Sequence, residues 1–95
     1  MSTFSDPSNV AVIASRRVVF AGDWISYVSH DAEDGAWQFH GSGSEPTQES
    51  DAVVVSLQNI LELDSTILEL ADLSIGWHAS RTAKAAPWRR AKIEK

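Results

Sequence analysis

Cysteine is absent from the 95-residue chain, which excludes a disulfide framework and a thiolate metal site and gives no sign of an oxidising compartment. Long apolar runs are absent as well. The first, residues 10–14, is too short for a signal peptide or a membrane span, and the opening Met1-Ser2-Thr3-Phe4-Ser5-Asp6-Pro7 has no basic segment. A cytoplasmic protein that does not engage a membrane is the expectation. Lys and Arg are missing from residues 18–80, a stretch that holds Asp23, Asp31, Glu33, Asp34, Glu45, Glu49, Asp51, Glu62, Asp64, Glu69 and Asp72. The cations sit at the two ends, Arg16 and Arg17 on one side and Arg81, Lys84, Arg89, Arg90, Lys92 and Lys95 on the other. With a net charge of −5, the negative body repels nucleic-acid phosphate and steers a cationic partner toward itself.

What is present fits one small domain with a single core. Hydrophobic residues make up 43% of the chain, an ordinary globular share, and four Trp supply large rigid surfaces. Residues 1–9 are polar, contain Pro7 and are expected as a flexible leader. Residues 10–90 form the domain and 91–95 a basic C-terminal tail; the stretch after Arg81, with Pro87 and Trp88-Arg89-Arg90, docks, if at all, through Trp88.

Residues 10–14 and 17–20 are rich in β-branched side chains, so they predict two strands, or one bent strand, before the turn at Gly22-Asp23. From Trp24 the alternation is that of a strand, with Trp24, Ser26, Val28 and His30 on one face and Ile25, Tyr27 and Ser29 on the other. Asp31-Ala32-Glu33-Asp34-Gly35 reads as a hairpin loop and residues 36–40 as its return strand. Residues 41–51, rich in Gly, Ser and Pro, are an exposed loop. Residues 52–55 then form a short buried strand. Ser56 caps a helix with Leu57, Ile60 and Leu61 on its apolar face, and Asp64 caps a second helix with Leu63 and Leu68 at hydrophobic-staple spacing. Residues 77–81 are extended again. Trp37 and Trp77, on strand-like segments, are expected in the core together with Trp24, Tyr27 and Phe39.

Chemistry-bearing patterns are few. His30, His40 and His78 do not have the compact spacing of zinc enzymes, and no Ser has a nucleophile-elbow context, so no metal, cofactor or catalytic residue is expected. Gly41-Ser42-Gly43 leads to Glu45 and Pro46 rather than to a helix or a Lys, which makes it a plain loop and not a phosphate cradle.

Four blocks, in order, carry a likeness: Ala14-Ser15-Arg16-Arg17-Val18, Gly35-Ala36-Trp37-Gln38-Phe39-His40-Gly41, Val55-Ser56-Leu57 and Ile75-Gly76-Trp77-His78-Ala79-Ser80-Arg81. Over residues 12–81 the chain resembles a bacterial domain family of unknown function, some of whose members are grouped with immunity proteins of polymorphic toxin systems. The block around Trp37 and Phe39 and the Ile-Gly-x-x-x-x-Arg block are the most specific parts. The family's acidic pair after a Gly is represented here at most by Glu45, since Ser44 follows Gly43. An interaction role is what the resemblance implies.

The expected fold is α+β, a twisted antiparallel sheet of about five strands with two short consecutive helices on one face; a small half-open barrel is the alternative. The expected function is that of a non-catalytic protein-binding module, an immunity protein neutralising a cationic bacterial toxin, acting through Asp31, Glu33, Asp34, Glu45, Glu49 and Asp51. The competing class is an enzyme with a histidine–carboxylate site at His40 and His78. A purely structural accessory domain is the third.

Overall fold

The computed structural model describes residues 9–33, 35–42 and 51–93. β1 (Ala11–Ser15) runs straight into a five-residue helix α1 (Arg16–Phe20), followed by β2 (Tyr27–His30), β3 (Trp37–His40) and β4 (Ala52–Ser56). Two helical segments, α2 (Leu57–Leu63) and the 3-10 helix η1 (Ser65–Leu70), precede β5 (Trp77–Ser80) and β6 (Arg89–Lys92). The fold is α+β, as its sequence suggests, but the open sheet has six strands in the order β4-β1-β3-β2-β5-β6. It is mixed rather than antiparallel throughout, because β1 pairs with β3 in parallel, Ile13 beside Gln38 and Ala14 beside Phe39.

The strand register sorts the side chains into two faces, since directly opposed residues share a face. Val12 and Ala14, Trp37 and Phe39, Val28 and Ala79 point to one side. There they join Leu57 and Ile60 of α2, Ile67 and Leu70 of η1, and Val18 of α1 in one buried cluster. The other side of the sheet carries Ile13, Val54, Gln38, His40, Tyr27 and His78.

Local signals explain the helix starts. Ser56 Oγ accepts from the Asn59 amide at 3.1 Å, and Asp64 Oδ1 accepts from the Thr66 amide at 3.0 Å, so both expected caps form. The staple residues Leu63 and Leu68 stay exposed.

Four expectations are corrected by tertiary context. Residues 16–20 are helical despite their β-branched content, because this turn drops Val18 into the core, where it packs beside Gly41. β4 is an edge strand, not a buried one, with Val54 71% exposed. Trp77 is 37% exposed and outside the core, whereas Trp37 is only 2% exposed. The segment expected as a tail past residue 90 is instead zipped onto β5 as β6 through Lys92, and Ile93 N–H donates to Gly76 O at 2.8 Å.

Arg81 closes the bottom of the molecule. Its guanidinium donates to Ile25 O at 2.8 Å, Thr66 Oγ1 at 3.1 Å and Asp64 Oδ2 at 2.7 Å, and lies 4.2 Å from the centre of the Trp88 ring. Burial acts to raise the Asp64 carboxyl, but hydrogen bonds from Thr66 and Arg81 outweigh it and hold the group below its ordinary value. Asp23 does similar work at the other loop: against the cost of its burial, Ser42 and Trp24 bond its carboxylate and lower its pKa. A side chain at Gly41 would run into that carboxylate and push Asp23 off its bonds to Ser42.

Candidate functional site

The β2–β3 hairpin is built by short-range bonds. Asp31 N–H donates to Ala36 O at 2.8 Å and Gly35 N–H to Asp31 O at 2.9 Å. Behind it the chain ahead of β5 is tied in, with Gly76 N–H donating to His30 O at 2.7 Å. Gly76 has φ +86°, a left-handed conformation that glycine adopts without strain. Between these segments lies an open cavity of about 670 Å³, lined by Asp31, Glu33, Gln38, Ile75, Lys92 and Ile93 together with the hairpin backbone. Ile75 is 57% exposed, so the cavity joins an apolar surface to two carboxylates. Asp31 is positioned by Gln38, whose side-chain amide donates to Asp31 Oδ2 at 2.6 Å.

Of the six acidic residues singled out from the sequence, Asp31 and Glu33 meet on this cavity. Asp51 does not. It precedes Ala52, which pairs with Ser15 at the end of β1, and β1 runs parallel to β3, so Asp51 sits at the far end of the sheet from the hairpin. Asp34, Glu45 and Glu49 lie outside the described residues. Sequence reasoning missed Ile75, Lys92 and Ile93. No periodicity marks them, and they reach the hairpin only because β5 pairs with β2 and β6 with β5.

A second cluster occupies the uncovered face. Tyr27 on β2 meets His40 of β3 edge-on at 5.4 Å and stacks on His78 of β5 at 5.2 Å. Burial pushes His40 below the usual imidazole value, with Asp31 partly opposing, which keeps the ring neutral at pH 7. Burial, with help from the Asp31 charge, pushes the Tyr27 phenol up. The two imidazoles flank Tyr27 from strands that are not neighbours, two strand spacings or about 9–10 Å apart at the backbone. Neither imidazole lines the hairpin cavity. Nδ1 of His78 is buried and finds no partner among the described residues.

His30 has a structural role. It lies on Trp37 with ring centres 3.9 Å apart, and Nδ1 is 2.8 Å from Leu73 O, so that nitrogen carries the proton and donates. Among the described residues no group of three or more His, Asp or Glu is arranged to hold a metal ion, and no helix is long and apolar enough to cross a membrane. Comparison of the chain with protein-family models, with curated proteins and with solved structures finds no match in any of the three, so function has to be argued from the geometry of the hairpin cavity and the uncovered face.

Proposed function

We propose that this chain is a non-catalytic protein-binding module that receives a cationic segment of a partner polypeptide at the β2–β3 hairpin. One observation carries this reading: Asp31 and Glu33 share a cavity with the exposed side chain of Ile75. An apolar contact flanked by carboxylates suits the aliphatic stem and charged head of Lys or Arg. Lys92, the one cation among the described residues that line the cavity, sets a register by repelling a badly placed positive charge. The absence of Lys and Arg from residues 18–80 supports electrostatic steering of a cationic partner toward the acidic body to which this hairpin belongs. The resemblance to a family that includes immunity proteins points the same way, with a cationic bacterial toxin met in the cytoplasm as the partner.

The test is a photo-crosslinking residue placed at Ile75 in cells of the source organism. A discrete adduct with one polypeptide is expected, reduced at least tenfold by Glu33→Lys and by raised salt, since exposed charges are screened over about 8 Å at physiological ionic strength. An adduct indifferent to both, or none at all, refutes the hairpin as the binding site.

The histidine-based enzyme is the second reading, favoured by the two imidazoles packed on Tyr27. It is the weaker one, because a phenol ring stands between them and proton transfer needs hydrogen-bond reach of about 3 Å.

A further inference from the structure

The two edges of the sheet are unlike. β6 carries Arg89, Arg90 and Lys92, and a second copy laid along that edge would bring like charges together, a common guard against edge pairing. β4, at the other edge, reads Ala-Val-Val-Val-Ser without a charge.

The phase of its backbone follows from one bond. Leu57 N–H donates to Val10 O at 3.0 Å, and Ala11 is registered with Ser56 through to Ser15 with Ala52. In an antiparallel pair, hydrogen-bonded positions alternate, so Val53, Val55 and Leu57 turn their backbone groups to β1. Ala52, Val54 and Ser56 therefore turn theirs outward. Among the described residues no strand lies beyond them.

We propose that β4 pairs antiparallel with β4 of a second copy of this chain, about a two-fold axis at Val54, joining two six-stranded sheets into one. That register sets Val54 against Val54 and Ala52 against Ser56. It forms about four backbone hydrogen bonds, the Ser56 carbonyl being taken by the first turn of α2. On the uncovered face, Val54 and the adjacent Ile13 of each copy make a continuous apolar strip. Asp51 falls opposite Leu57 of the second copy, so no two carboxylates are opposed within the strand pair. A single strand pair buries less than the roughly 800 Å² per partner of a standard stable interface, so the dimer is weak and concentration-dependent. It uses neither the hairpin cavity nor the carboxylates around it.

Sedimentation equilibrium of the wild-type chain and of Val54→Lys, from about 10 μM to about 1 mM, spans the weak-affinity range and tests the proposal. The wild-type average mass should climb from 10.4 kDa toward twice that value, more readily at high salt because each copy carries −5. Val54→Lys, which alters an exposed side chain and leaves the fold intact, should dimerise at least tenfold more weakly. In parallel, amide exchange at Ala52, Val54 and Ser56 should slow as wild-type concentration rises. A mass that stays monomeric throughout with unchanged exchange at these three amides overturns the proposal, and so does a dimer that Val54→Lys leaves undiminished.

Discussion

Replacing Arg81 should unfold this protein more readily than any other single charge change. The Arg81 and Asp64 side chains are 1% and 12% exposed, and their ion pair spans 2.7 Å. Arg81→Ala removes the pair, strips Ile25 O and Thr66 Oγ1 of their donor and opens a gap beneath the Trp88 ring. Breaking a buried pair by deleting one partner costs about 3–5 kcal/mol, chiefly because the remaining charge is stranded. For a domain of this size each kcal/mol moves Tm by about 4–8 °C, so a drop of more than about 12 °C is expected. Arg81→Lys keeps the charge but not the fork that reaches Ile25 and Asp64 together, and should recover less than about half of the loss. The pH dependence has a definite sign. The Asp64 pKa is lowered in the folded state, so its contribution is present above the ordinary value of 3.8 and is lost as pH falls through the folded value. Urea unfolding followed by Trp fluorescence should therefore show a shallower acid-induced fall in stability below about pH 4 for Arg81→Ala than for wild type. A Tm within 2 °C of wild type for Arg81→Ala, or an equally steep acid limb, would refute this account of the pair; the tolerance is about half the effect of 1 kcal/mol.

Trp37→Ala should cost about 3–5 kcal/mol and Trp77→Ala about 1 kcal/mol, since only the first ring is buried; equal losses in thermal melts would contradict that assignment. The His40 pKa is lowered in the folded state, so the unfolded chain takes up more protons below the ordinary value of 6.5 and stability falls as pH drops from there toward the folded value. His40→Gln should flatten that slope, which urea midpoints at about pH 7.5 and 5.5 will measure; an unchanged slope would place the titration elsewhere. Because Ile93 N–H bonds Gly76 O, alternation along the β5–β6 pair points the Ala91 amide inward and the Arg90 and Lys92 amides outward. Amide exchange should thus be slow at Ala91 and Ile93 and fast at Arg90 and Lys92, whereas uniformly fast exchange would mean that β6 is detached in solution.

The sequence by itself determined the features whose partners lie a few residues apart. Ser56 and Asp64 cap their helices because the amides they accept from are three and two positions ahead. The loop after His30 closes a hairpin because its bonds run between Asp31, Gly35 and Ala36. Trp37 and Phe39 were legible as core from strand alternation. Of the candidate site, Asp31 and Glu33 could be named from charge, but the cavity that gives them a use could not.

Only the tertiary structure decided the rest, because each remaining feature depends on chain segments far apart. β1 lies parallel to β3 across an intervening helix, strand and hairpin, a pairing that no local pattern encodes. Val18 and Val19 favour a strand by propensity, yet the burial gained by turning Val18 over Gly41 selects a helix. Val54 and Trp77 look like core residues until the strand order puts one on an edge, while the other, although the register sets it on the core face with Ala79, stays 37% exposed. Arg81 reads as the start of a solvated basic end, but its bonds reach back 56 residues to Ile25 and 17 to Asp64, and desolvation then fixes it in place. Propensity and charge act along the chain, whereas burial and register are properties of the assembled sheet.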